Sequence, residues 1–334
     1  MFAAAALAMV ACSNEESDNS LVQNGDVIRL TASVGNAVQT RAGVAIQSTA
    51  FATGEEINVE CTPSGGSYSG TMAHAIYVTG EAPTSGDNAG KNALTLKVTD
   101  PVQNPLRWPA AGEVSIKAYY PSYITSAIPS FTVSTDQSAA GDATLQSLGA
   151  AEEGYAAREL ARGYKGSDLM YATPISDQNK QTTAVGLTFN HALTKIIVNL
   201  TAAENGGLQA ADLAGCTVTL HAKKTVTISN GIPTLTENVY NVGGDVADIK
   251  MGTGANNAAI IVPQNITAGA GYDFITVTTA GEHAVTYKLT ANKVFEHGKV
   301  YTYNLTVSTA ALVLQSTTIN DWVAGDTTAD TVEI

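Results

Sequence analysis

Five histidines, at 74, 191, 221, 283 and 297, are the residues of this 334-residue chain best suited to proton transfer or metal binding. No two stand at the i, i+4 spacing that puts imidazoles on one helix face, and His-Glu-x-x-His is absent. The three cysteines, 12, 61 and 216, have no close spacing, so they suggest neither a metal cluster nor a redox pair. Gly65-Gly66-Ser67-Tyr68-Ser69-Gly70 places tyrosine where a nucleophile elbow needs serine. Ala89-Gly90-Lys91 and His297-Gly298-Lys299 lack the preceding glycine and the Ser/Thr of a phosphate loop. Gly252-x-Gly254 runs on as Ala-Asn-Asn, which breaks the dinucleotide fingerprint. Glu152-Glu153 reads as a solvated surface pair. His191, within Leu187-Thr188-Phe189-Asn190-His191-Ala192-Leu193, is flanked by strand-forming apolar residues and reads as a hydrogen-bonded structural histidine. No catalytic residue, cofactor or metal site is expected, and the balance moves towards a binding or structural protein.

Composition narrows the classes further. Charged residues are 14% of the chain against about 25% in an average globular domain, while hydrophobics are an ordinary 44%. Charge-rich disorder is excluded over most of the length. A formal charge of −13 repels phosphate backbones, so nucleic acid is not an expected partner. The length suits roughly two domains, and no run reaches the roughly 18 apolar residues of a membrane-spanning helix.

Phe2 to Ala11 is an apolar run of the length expected for the core of a signal peptide. It ends Met9-Val10-Ala11-Cys12, which resembles a bacterial lipobox, where a peptidase cuts before the cysteine and lipid is attached to its sulfur. The run lacks the Lys or Arg that usually opens such a signal. Ser13-Asn14-Glu15-Glu16-Ser17-Asp18 resembles the acidic segment that sends lipoproteins of Bacteroidetes to the cell surface. Residues 1–11 are therefore expected to be a signal, with Cys12 lipidated and the chain exposed on the outer membrane. Cys61 and Cys216 remain, one in each half. Export permits a disulfide between them, and two separate buried thiols fit equally well.

Beyond residue 26 the chain reads with period two, the mark of half-buried strands. Ile28, Leu30, Ala32 and Val34 share one face of a strand over 27–34, with Arg29, Thr31 and Ser33 on the other. Ile196, Val198 and Leu200 alternate likewise, as do Cys216, Val218 and Leu220, and Tyr301, Tyr303, Leu305 and Val307. Asn230-Gly231 suits a two-residue hairpin turn, and Ala280-Gly281 a second reversal. The best helix candidate is 151–162, limited by Gly154 and Gly163. This pattern predicts an all-β chain with little helix, built as antiparallel sandwiches or open barrels. Polar residues 176–183 read as the linker between an N-terminal domain, 42–178, and a C-terminal domain, 179–334.

Five blocks, in order, resemble the fimbrillin family, subunits of the type V pili of Bacteroidetes. Arg107-Trp108-Pro109 with 114–121 comes first, then Asp168-Leu169-Met170-Tyr171-Ala172, and 187–200. Gly298-Lys299-Val300-Tyr301-Thr302-Tyr303-Asn304-Leu305 and Ile319-Asn320-Asp321-Trp322 complete the series. The resemblance implies two transthyretin-like β-sandwich domains in tandem. It also implies export as a lipoprotein, then proteolysis after an arginine that removes the first strand. Arg41, followed by Ala42, stands where that arginine should be, in a polar context just past the 27–34 strand. Residues 12–41 would then be a lipidated pro-segment, and the cut would move the formal charge from −13 to −11.

The physics of such a cut follows from the strand. Burying Ile28, Leu30, Ala32 and Val34 contributes about 5–8 kcal/mol before ordering costs. Losing them leaves an apolar groove edged by unpaired N–H and C=O groups, which a neighbour's strand can fill. The candidate donor is the C-terminal region. There Leu312, Val313 and Leu314 form an apolar run of the kind buried on both faces, and Val332 and Ile334 alternate at the end. The expected partners are other pilus subunits, and head-to-tail contacts that do not close would build a filament. The contrasting reading is a surface lipoprotein that keeps its first strand and binds a glycan or host protein. Only Trp108 and Trp322 could serve it as indole platforms.

Overall fold

The computed structural model describes residues 26–35, 50–64, 73–97, 104–109, 112–146, 151–253, 256–322 and 330–332. Among these the chain is nearly all β, with one α-helix, Tyr155–Arg162. That helix is shorter than the periodicity predicts, because Gly154 takes a left-handed conformation (φ 82°) and starts it late.

Nine strands make up or flank the first half. They are β1 (Leu30–Val34), β2 (Glu56–Ser64), β3 (Ala73–Thr79), β4 (Asn92–Leu96), β5 (Glu113–Tyr120), β6 (Ser130–Thr132), β7 (Met170–Ala172), β8 (Ile175–Gln178) and β9 (Val185–His191). All but β6 share one sheet. It runs β2-β3-β4-β1-β9-β7-β5-β8, and β5 also pairs with β2. Seven strands thereby close into a ring, with β8 attached outside it on β5. Closure removes the open edges that a flat sheet would expose.

The second half is a sandwich. One sheet orders the strands Asn256–Ile261, Thr194–Ala202, Lys299–Val307, Leu312–Asp321 and Asp330–Val332. The other carries Thr217–Ser229, Val242–Thr253, Tyr272–Thr278 and Ala284–Leu289, with β6 from the first half added to Thr217–Ser229. Asn230 and Gly231 both have positive φ, 50° and 73°, as the expected hairpin turn requires. The chain also reverses between Thr279 and His283, where the Thr279 N–H donates to the His283 carbonyl at 2.9 Å.

Among the described residues two strand-to-strand pairings depart from antiparallel order. β1 runs parallel to β9, and Thr194–Ala202 runs parallel to Lys299–Val307. The linker expected at 176–183 is also displaced. Its first residues belong to β8, and β9 buries Leu187 and Phe189 in the first core. The chain leaves the first sheet only at His191. No single cut separates the cores, because Tyr119, Ile124, Phe131, Val133, Tyr164 and Leu169 pack into the second.

Candidate functional site

Residues 26–35 are held by three separate stretches of chain. At their start they run against 106–108: the Ile28 N–H donates to the Leu106 carbonyl at 2.8 Å, and the Trp108 N–H to the Asp26 carbonyl at 2.9 Å. Further on, β1 pairs antiparallel with β4, Leu30 opposite Leu94 and Ala32 opposite Asn92. On its other side it pairs with β9, from Leu30 opposite Val185 to Val34 opposite Phe189. Among the described residues β1 is the only strand joining β4 to β9. Taking it out would open the ring.

Alternation does the rest. Ile28, Leu30, Ala32 and Val34 are at most 6% exposed and line the core with Phe51, Trp108 and Phe189. Arg29 points to solvent, and its carbonyl accepts from the Val185 N–H at 2.8 Å. A protease would therefore meet an engaged backbone at Arg29. Level with Ala32, the buried Asn92 carboxamide makes three bonds to main chain. Its Nδ2 donates to the carbonyls of Phe51 (2.9 Å) and Gly80 (2.7 Å), and its Oδ1 accepts from the Phe51 N–H at 2.9 Å. The segment entering at residue 50 is thereby tied to β4 independently of β1.

A second polar group lies where the two cores meet. The His191 Nδ1 is 2.8 Å from Asp168 Oδ1, with both side chains sealed from solvent. Trp322 stacks on the imidazole, and the Lys195 ammonium lies 5.9 Å from the indole centroid. Burial pushes the Lys195 ammonium down to about 8, opposed by the Asp168 carboxylate. With the His191–Asp168 pair sealed from solvent, the geometry of this group suits holding strands together. The described residues hold no cluster of three or more His, Cys, Asp or Glu suited to a metal ion.

A sequence model of the fimbrillin-like family matches residues 40–322. The chain belongs to the fimbrillin-like family. No curated protein matches it in sequence. Two solved structures share the fold of this fimbrillin-like chain. A candidate cell adhesion protein from Bacteroides uniformis is 21% identical, with a TM-score of 0.59, covering 89% of this chain and 98% of its own. Another from Bacteroides ovatus is 17% identical, with a TM-score of 0.61, covering 91% and 100%.

The family-like blocks are scattered in sequence and gathered in space. Asp168, His191, Lys195 and Trp322 come from three of them and meet in the buried polar group. Gly298, from a fourth, donates its N–H to the Leu193 carbonyl at 2.7 Å and accepts from the Trp322 N–H at 2.6 Å. Asn92, Phe51 and the β9 partner of β1 had no signal in the sequence; only the pairing reveals them.

The remaining sequence-derived sites have mixed fates. Cys12, Arg41, Ala42 and Ile334 lie outside the described residues. Leu312, Val313 and Leu314 begin a strand paired to Lys299–Val307. That strand is not buried on both faces: Leu312 packs inward, but Val313 is 51% exposed. Val332 ends the short strand Asp330–Val332, which pairs with Thr317–Ile319. Cys61 and Cys216 are unbridged, and each is buried in a different core.

Proposed function

We propose that this chain is a subunit of a type V pilus that polymerises by strand exchange. It is exported as a lipoprotein through Cys12 and anchored on the outer membrane. It is then cut after Arg41, so that Ala42 becomes the new N-terminus and β1 is free to leave. The observation that carries this reading is the place of β1. One short strand closes the ring between β4 and β9, and its departure exposes two unsatisfied strand edges above an apolar floor. Two further features support it. Asn92 keeps residues 50–52 seated without help from β1, and the family match opens at residue 40, beside the proposed cut.

A neighbour's strand then replaces β1 in the same ladders. This chain's own donor towards a neighbour is its C-terminal region. Leu312–Leu314 is integral to a sheet, and the tail beyond it carries Val332 and Ile334, of which Val332 ends the described strand Asp330–Val332 on that same sheet. Mass spectrometry of surface material tests the pathway. A mature N-terminus at Ala42 in polymerised subunits is the expected result. Acylated Cys12 in all material would instead make the protein a monomeric surface lipoprotein with a host or bacterial ligand.

A further inference from the structure

We infer that the β1 seat is selective for size, and that its incoming strand belongs to a different subunit rather than to a second copy of this chain. The inference rests on the strand-exchange reading above and names the partner of that same site. Three rows of side chains cross the seat. Leu30 lies level with Leu94 and Val185, Ala32 with Asn92 and Leu187, and Val34 with Phe189. Paired residues in a ladder point to the same face, so Ala32 sits between the Asn92 carboxamide and the Leu187 side chain. Asn92 and Leu187 are both fully buried. Asn92 cannot move aside, because all three of its bonds hold the main chain of Phe51 and Gly80. A larger side chain at this third inward position must therefore overpack the core.

A second filter stands at the exit. A Cβ on Gly35 would meet the Asn190 Oδ1 at 3.0 Å and the Phe189 carbonyl oxygen at 3.2 Å. The Gly35 N–H already donates to that carbonyl at 2.7 Å. The seat thus asks for large, large, small and β-branched residues at alternate positions, then a residue with little room for a Cβ, running parallel to β9.

No frame of residues 312–334 meets both demands. Leu312, Leu314, Ser316 and Thr318 repeat the order of sizes, but Ile319 would place a β-branched side chain where a Cβ alone already stands 3.0 Å from the Asn190 Oδ1 and 3.2 Å from the Phe189 carbonyl oxygen. Thr328, Asp330, Val332 and Ile334 put a carboxylate at the second position and valine at the narrow third one. A strand that meets the pattern must come from another chain, which makes the fibre an ordered heteropolymer at this joint.

The test uses the full chain with a site-specific protease sequence placed within 37–48. After cutting, labelled peptides compete with the resident strand, and exchange is followed by fluorescence anisotropy. A peptide copying 26–35 should exchange, and its Ala32→Leu and Gly35→Val forms should bind at least about tenfold more weakly. Peptides copying 312–319 and 322–334 should be as weak as those variants. Equal binding of the Ala32→Leu and copy peptides overturns the size filter, and tight binding of 322–334 overturns the choice of partner. If even the copy peptide fails to exchange, strand exchange itself is refuted. The filter is then read from the uncut chain, where Ala32→Leu must lower the melting temperature and the outward Thr31→Leu must not. Equal melting temperatures refute the filter there too.

Discussion

The indole of Trp322 lies flat on the imidazole of His191, ring centroids 3.9 Å apart and planes within 6°. The two residues are 131 positions apart and come from opposite halves of the chain. His191 ends β9, the strand that flanks β1, and Trp322 follows the Leu312–Asp321 strand. The stack therefore pins the C-terminal sheet to the wall of the β1 seat, and Asp168 fixes the imidazole through its Nδ1.

Truncating that indole should be costly. Trp322 is 4% exposed, and Trp322→Ala should lower the unfolding free energy by about 3–5 kcal/mol. Trp322→Phe should lose much less, because an aromatic ring still covers His191. Urea denaturation of the two variants measures this. A loss below about 1 kcal/mol for the alanine variant would mean that the stack does not join the halves.

The Lys195 ammonium gives the alkaline side of the stability curve a definite sign. Burial lowers it from its ordinary 10.5 to about 8 in the folded chain. Between those values the unfolded chain holds more protons, so this group makes stability rise with pH, by about 3 kcal/mol in all. Cys61 acts the other way: burial raises its thiol from 9.0 to about 11, so the stability it contributes is lost over that window. The buried tyrosines, also raised by burial, add to that loss above 10. The difference between wild type and Lys195→Met isolates the lysine. The variant should be the more stable at pH 7, and its advantage should shrink to nothing by about pH 10.5. An advantage that stays level with pH would show that the ammonium is not desolvated.

How far these features could be read from sequence depends on distance along the chain. The inward face of β1 was legible, because Ile28, Leu30, Ala32 and Val34 alternate without interruption and all four are buried. Its parallel partner was not, because β9 begins about 150 residues later and pattern says nothing of pairing. Polar residues 176–178 hid β8, since an outer strand needs no apolar face. The run Leu312–Leu314 misled in the opposite sense. Three apolar residues in succession suggested burial on both faces, but Val313 faces solvent. The polar group at His191 was half visible: the histidine read as structural, while Asp168 and Trp322 converge on it only through the tertiary fold.

Inward and outward positions of β1 should respond very differently to truncation. Leu30→Ala should lower stability by about 2–5 kcal/mol, whereas Ser33→Ala should change it by less than about 0.5 kcal/mol. Thermal unfolding of the uncut chain measures both. Equal effects would mean that β1 is not seated with this face inward.

The two remaining thiols should be silent in the native chain. Cys61 and Cys216 are buried in different cores, and Cys216 donates its S–H to the Leu213 carbonyl. With Cys12→Ser, a thiol reagent should label neither in the folded protein and both in guanidinium. Mobility on non-reducing gels should not change on reduction. Rapid native labelling of either would place it at the surface.

Asn92 offers the sharpest separation between seat and strand. Asn92→Leu keeps the number and branching of side-chain heavy atoms but removes the three carboxamide bonds to Phe51 and Gly80, leaving one N–H and two carbonyls without partners. Each buried group so orphaned costs about 1–3 kcal/mol, so the variant should lose at least about 3 kcal/mol. The loss should also be local. Phe51 packs edge-on against Phe189, centroids 5.0 Å apart, so freeing residues 50–52 loosens the wall next to the last inward position of β1. Hydrogen exchange should therefore accelerate at 50–52 and at 32–35 before it does at Lys299–Val307 in the other core. Uniform acceleration throughout would show that the carboxamide supports the whole fold rather than the seat of β1.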